Sequence, residues 1–307
     1  MRVSAYRKKA IGAALAAVLL VGGATACEGG EIALSDRPVV DGAATEALAA
    51  AYKKTSAAKS AKFRMTMTMP ASLGAGGTVE MSGVQGWDPQ VMDVTMKGAL
   101  PRGSGADSLR MIMSNDVVFM EVPKDSPMTG GLEGKHWMKL DLDAVAQASG
   151  DAEALKKLSG MSGMSGVDQN QDPAKQLALL LSSPNVKHLG AEKVEGVDVE
   201  RYKGTLTLKE LLAADGSGKA LSDAERAQLV EAMKKAGIKG YDMDVWVDKD
   251  GHPVHMKVGI GTPQGTVKMD ASYSDYGTGA TVRTPSENET FDLFAMFEQL
   301  GELGAGA

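Results

Sequence analysis

The chain has 307 residues and a formal net charge of −6, with no long basic block, so it lacks the electrostatic footprint of a nucleic-acid binder. A single cysteine excludes an internal disulfide framework, and an exported fold must then hold together by its core alone. Methionine is over-used, 19 residues against 5 phenylalanines, and its unbranched, polarizable side chain suits apolar surfaces that adapt to irregular partners.

The chain begins with Arg2, Arg7, Lys8 and Lys9, followed by Ala10 to Val21 without a charge. That is the layout of a secretory signal: a basic start, a short apolar run and a small-residue cleavage zone. The run is too short for a spanning helix, which needs about 20 apolar residues. At its end, Ala24-Thr25-Ala26-Cys27 resembles a bacterial lipobox, with Ala24 where the family pattern prefers Leu. The resemblance implies cleavage before Cys27, which then carries a diacylglyceryl thioether and has an amino group open to N-acylation. Two or more acyl chains make a stable anchor where one is marginal. The bland alternative is an ordinary cleaved signal that leaves a free thiol, a redox liability in an exported protein.

Residues 28 to 40 show no periodic apolar face and read as a flexible tether, so that 1–26 is a signal peptide, 27–41 a lipidated tether and 42–307 a single domain. Between Gly42 and Ser60, Leu48, Tyr52 and Thr55 fall at helical spacing. Phe63-Arg64-Met65-Thr66-Met67-Thr68-Met69 alternates strictly, which predicts a strand with one greasy and one wet face. Strands follow at Thr78–Val84, Val91–Met96, Leu109–Met113 and Val117–Val122, the last two joined by the tight turn Ser114-Asn115-Asp116, and then at Trp137–Leu140. The pattern is an antiparallel meander whose inward face is mostly Met and Val.

The middle of the chain changes character. A short helix is expected at Asp151–Leu158, then a Gly/Ser/Met loop from Gly160 to Gly166. Asp172-Pro173 starts a helix with an N-cap and a first-turn proline, Leu177, Leu180 and Leu181 supply its buried stripe, and Ser183-Pro184 ends it. Short strands are expected at Val186–Leu189, Glu192–Glu195 and Val197–Tyr202, and a charged helix at Ser222–Ala236, where Ser222 and Glu225 fit a capping box. Tyr241–Val247 and Val254–Ile260 form a hairpin around Asp248-Lys249-Asp250-Gly251, and Thr266–Tyr273 adds a strand. The apolar run from Phe291 through Phe297 predicts a C-terminal helix.

These elements make an α+β arrangement: a curved antiparallel sheet with helices packed on its concave, apolar face. Its helix entering Phe63-Arg64-Met65, the pair Gly190-Ala191-Glu192-Lys193-Val194-Glu195-Gly196-Val197 and the hairpin from Val245 to Val254 resemble the actinobacterial lipoproteins of the LppX/LprG type, and more distantly the LolA and LolB carriers. That resemblance covers nearly all of the mature chain and implies a LolA-like half-barrel whose concave face holds acyl chains.

Catalytic patterns fail on spacing. The phosphate-loop hint at Gly130 to Lys135 would need glycine at Thr129, and no Ser or Thr follows Lys135. A calcium loop through Asp248 and Asp250 would start on Trp246 and close on Lys257. His136, His188, His252 and His255 never pair at i, i+4, and there is no nucleophile elbow. The expected function is therefore non-enzymatic and without a metal or other cofactor: a lipoprotein on the outer face of the cytoplasmic membrane that binds or carries lipid. Its candidate cavity lining is Phe63, Met65, Met67, Met69, Met81, Met92, Met96, Met111, Met113 and Met120 from the sheet and Leu177 and Leu181 from a helix, with the loop at Gly160–Gly166 as the gate. A compact core favours stiff Leu, Ile and Phe, whereas a deformable pocket for flexible chains favours thioethers. The rival expectation is an envelope sensor or interaction module that turns the same sheet face to a protein partner.

Overall fold

Helix α1 (Gly42–Ala58) opens the described part of the chain, which in the computed structural model comprises residues 41–73, 76–100, 107–123, 134–144, 172–213, 223–293 and 295. The Asp41 side chain accepts from the Ala44 N–H at 3.1 Å and caps the first turn. Ala44, Leu48, Ala51 and Thr55 form the buried stripe, and Lys59, at φ 64°, turns the chain out of the helix. The signal-like segment, the lipobox and Cys27 lie outside the described residues, as do Asp151–Leu158, Gly160–Gly166 and Ser222.

Alternation of side chains then builds twelve strands of the described residues into one sheet. They are β1 (Ser60–Met69), β2 (Gly77–Trp87), β3 (Gln90–Gly98), β4 (Ser108–Ser114), β5 (Val117–Glu121), β6 (Trp137–Asp141), β7 (Lys187–Val194), β8 (Val197–Thr207), β9 (Gly240–Asp248), β10 (Pro253–Thr262), β11 (Gly265–Ser274) and β12 (Thr290–Asp292). The spatial order is β12-β6-β5-β4-β3-β2-β1-β11-β10-β9-β8-β7. Two meanders, β1 to β6 and β7 to β11, meet where β1 pairs with β11. All pairings are antiparallel except that of β12 with β6.

Helices α2 (Pro173–Leu181), α3 (Leu208–Ala213) and α4 (Asp223–Ala236) follow among the described residues. In α2 the buried Asp172 carboxylate accepts from the Ala174 N–H at 2.8 Å, and Pro173 fills a position that needs no N–H donor. α1 and α2 pack on each other and on one face of the sheet, and α4 adds Val230 and Met233 to the same apolar cluster. The architecture is thus the α+β half-barrel with helices on its inner face, and every described residue belongs to one compact unit.

Two local expectations need correction, and one helix was not foreseen. The two short strands around Gly190 are one strand, β7, because Gly190 at φ 106° lets the chain bulge between His188 and Gly190 instead of ending. Phe291 itself is strand: a 3-10 turn at Glu287–Glu289, capped by Ser286, feeds Thr290–Asp292 into the sheet edge beside Trp137–Lys139, and the chain turns helical only at Leu293, where the Asp292 side chain accepts from the Ala295 N–H at 3.2 Å. Helix α3 follows β8 directly, with the Thr207 hydroxyl accepting from the Glu210 N–H at 3.1 Å, a cap that the strand pattern upstream obscured.

Candidate ligand site

The register settles which side chains share a face. Met65 sits opposite Met81 and Ala271, Met81 opposite Met96, Met92 opposite Met113, and Met111 between Val94 and Met120. Strand partners directly across a sheet point the same way, so these methionines form one continuous surface over β1 to β5. The surface runs on through Met138 of β6 and, across the central pairing, through Met269, Val258 and Met243. Sequence reasoning nominated none of these last methionines as lining, nor Met256 and Met233, both fully buried in the same cluster. The period-two signal was present at Met243 and Met269 and could have found them.

The nominated residues divide by burial. Phe63, Met65, Met81, Met92, Met111, Met113 and Leu177 are buried in the main cluster, Met65 to 2% and Leu177 to 0% exposure. Met67, Met96, Met120 and Leu181 are half-buried against it, and Met69 is half-buried at the end of β1. Met67, Met69, Val79 and Met96 are neighbours at one end of β1, β2 and β3 and form a rim of incompletely covered thioether and valine surface.

Polar groups under the helices are few and tuned by burial. Burial raises the Asp172 carboxyl, against the hydrogen bond from Ala174 that favours its charge, and it pushes the hydroxyls of Tyr273 and Tyr276 well above the usual tyrosine range. Tyr276 donates to the Pro253 carbonyl at 2.7 Å and stacks on His252 at 4.6 Å between ring centroids. The Thr55 hydroxyl of α1 is buried without a hydrogen-bond partner.

The opposite face is polar, and it carries a cleft of about 1150 Å³ over β1 to β4 and β11. The β7–β8 and β9–β10 hairpin tips wall it on one side. Of the nominated lining residues only Phe63 borders this cleft. Arg110 grips Asp93 through two hydrogen bonds of 2.9 and 2.7 Å, Lys62 meets Asp275 at 2.8 Å, and Arg64 faces Glu195 at 4.0 Å. Further along the same face His255 lies 3.1 Å from Asp270 and edge-on to Trp246, and burial nonetheless lowers its pKa. Here desolvation outweighs the neighbouring carboxylate, because Asp270 is half-exposed and screened while the imidazole is largely covered. His252 and His255 therefore serve separate aromatic contacts, and among the described residues no cluster of His, Cys, Asp and Glu is placed to hold a metal. No helix among them is long and apolar enough to cross a membrane.

No protein-family profile matches the chain. It is 29% identical over 267 residues to an uncharacterized 31.2 kDa protein of Streptomyces griseus, covering 83% of this chain and 81% of that one. It is 25% identical over 281 residues to a Streptomyces coelicolor protein named "Putative lipoprotein", covering 88% and 82%. Among solved structures, lipoprotein LppX of Mycobacterium tuberculosis aligns over 80% of this chain and 100% of its own, at 13% identity and a TM-score of 0.45. The chain is thus similar over most of its length to two Streptomyces proteins, one of them named a putative lipoprotein, and its own strand order builds one large, almost wholly antiparallel sheet.

Proposed function

We propose that this protein is an envelope lipoprotein, anchored through lipid on Cys27, whose single LolA-like domain takes up acyl chains on its methionine face. One observation carries the reading: the face under α1 and α2 is a continuous run of thioethers, and its end at Met67, Met69, Val79 and Met96 is left incompletely covered. Such side chains re-pack around a flexible hydrocarbon at little cost. Acyl chains would enter at that rim and spread along the sheet as the helices yield, with no covalent step. The Streptomyces relative that bears the lipoprotein name supports the anchor.

Native mass spectrometry of protein purified from its own host tests the carrier role. Co-purifying lipid is the expected result, and a homogeneous apo mass from membranes extracted under mild conditions refutes it. Labelled palmitate tests the anchor: it should enter the wild-type chain and not Cys27→Ser. The second reading, a module that turns the same rim to a protein partner, is favoured by how completely Met65, Met92 and Leu177 are already packed. An apo protein with a solid interior would select it.

A further inference from the structure

The polar cleft on the face opposite the methionines is a second site, independent of acyl-chain uptake. We infer that it binds an uncharged, hydroxyl-rich ligand, a saccharide chain, clamped between Arg64 and Glu195. The first ground is charge. The three cations around the floor are each matched by an anion, Arg110 by Asp93, Lys62 by Asp275 and Arg64 by Glu195. At the wall Asp250 is paired with Lys249 at 2.9 Å, and the Asp248 carboxylate accepts from the Asp250 and His252 N–H groups. Among the described lining residues, then, every Lys and Arg has a carboxylate partner, and none is left over to attract an anionic ligand. Between these pairs the floor offers the hydroxyls of Ser82, Thr95, Ser272 and Ser274. Paired donors and acceptors interleaved with hydroxyls are complementary to a molecule whose hydroxyl groups both donate and accept.

The second ground is the geometry of the clamp. Arg64 and Glu195 stand 4.0 Å apart, too far for a direct hydrogen bond. A hydroxyl seated between them can accept from the guanidinium and donate to the carboxylate at ordinary lengths of about 2.8 Å. On the floor the direct cross-strand neighbours of Arg64 are the uncharged Ser82 and Ser272. The size of the cleft suits several sugar rings. Val194, Val197 and Val254 line the wall with apolar surface against which the C–H faces of a sugar can rest.

The third ground is where the backbone departs from comfort. Four non-glycine residues among the described ones have φ in the left-handed region: Lys59, Asn115, Glu195 and Asp275. Two of them, Glu195 and Asp275, are the anions that face Arg64 and Lys62 across this cleft. A glutamate is a poor choice for the tip of a tight hairpin, where Asn, Asp or Gly fits without a Cβ penalty. Its place there is explained by what its carboxylate does.

The test uses the full chain in a polyoxyethylene detergent, which carries no sugar, titrated calorimetrically with maltohexaose, cellohexaose and mannohexaose. These probes have no acyl chain, so their binding reports on the cleft whether or not the methionine face takes lipid. Saturable binding of at least one is expected. It should weaken about tenfold or more in Arg64→Gln and in Glu195→Gln, the loss typical of a charge-assisted hydrogen bond. Met67→Ala on the other face should leave it unchanged. Phosphatidylcholine vesicles containing digalactosyldiacylglycerol then tell a membrane-borne glycan from a free one, since only the former recruits protein to vesicles in a Glu195-dependent way. Glu195→Gly separates binding from structure: it relieves the left-handed backbone, so its Tm should rise while saccharide binding falls. The proposal is overturned if no neutral saccharide binds, if binding ignores both substitutions, or if inorganic phosphate or oligolysine binds in preference.

Discussion

Replacing Met65 and Met67 in turn by alanine measures how far the methionine face is packed and where it opens. The two residues point the same way from one strand, yet Met65 is 2% exposed and Met67 is half-buried at the rim. Met65→Ala deletes three heavy atoms from a closed site. At about 0.8 kcal/mol for each methylene-sized group the transfer loss is about 2.4 kcal/mol. A residual void of about 40 to 60 Å³ adds about 1 to 1.4 kcal/mol at roughly 24 cal/mol per Å³, for a total near 3.5 kcal/mol. Met67→Ala loses about half the transfer term and traps no void, because solvent reaches the gap, so it should cost about 1 kcal/mol. Urea unfolding with an unchanged m-value reads both. The same variants assayed for retained lipid should reverse the order, with Met67→Ala weakening retention more per kcal/mol of stability lost. Equal costs at the two positions, or less than about 1.5 kcal/mol at Met65, would refute the picture of a packed floor with an open rim.

Other expectations are more local. Thr55→Val keeps the shape of α1 and removes a buried hydroxyl without a partner, so it should stabilise the fold by about 1 kcal/mol, a rise in Tm of a few degrees. Asp172→Asn keeps an acceptor for the Ala174 N–H and removes a charge that burial disfavours. Because burial raises that carboxyl, the folded state holds its proton more tightly than the unfolded chain, and stability is lost as pH climbs from 3.8 through the folded pKa. The variant should therefore match or exceed wild type at pH 7, with the gap closing in acid, whereas Asp172→Ala should lose about 1 kcal/mol with the cap. His255 has the opposite sense. Its lowered pKa means that the unfolded chain takes up the proton first, so stability falls as pH drops below about 6.5, and His255→Gln should flatten that slope in urea midpoints taken between pH 5 and 7.5.

Much of the sheet was legible because its signal is local. The alternation from Phe63 to Met69 assigns the faces of β1 without any knowledge of its neighbours, and Asp172-Pro173 declares a helix start in two residues. The turn at Asn115 and the hairpin at Asp248–Gly251 have the same character. What stayed hidden depends on distance in the chain. Nothing near Arg64 announces that Glu195 will lie across a cleft from it, since that meeting depends on how the β7–β8 tip folds over a strand five places away in the sheet. The apolar run from Phe291 does turn helical at Leu293, but the strand at Thr290–Asp292 before it is hidden because three residues cannot display a period, and its conformation is imposed by the free edge of β6. Burial along β1 was equally invisible, because Met65 and Met67 are chemically identical and only the helices overhead tell them apart.

The pairing of β1 with β11 has a consequence for how the molecule comes to be. Phe63 and Tyr273 are cross-strand partners, so the seam between the two meanders joins residues at nearly opposite ends of the described chain. Such a distant closure is slow, because loop entropy must be overcome before the contact gives anything back. During that wait the strand bearing the methionine stripe can already pair with β2 while its other margin, with N–H and C=O groups unmatched, stands ready to template any passing extended segment. A chain cut after Thr262 would keep that margin permanently raw, and self-association through β1, visible as concentration-dependent light scattering, is the fate expected of it.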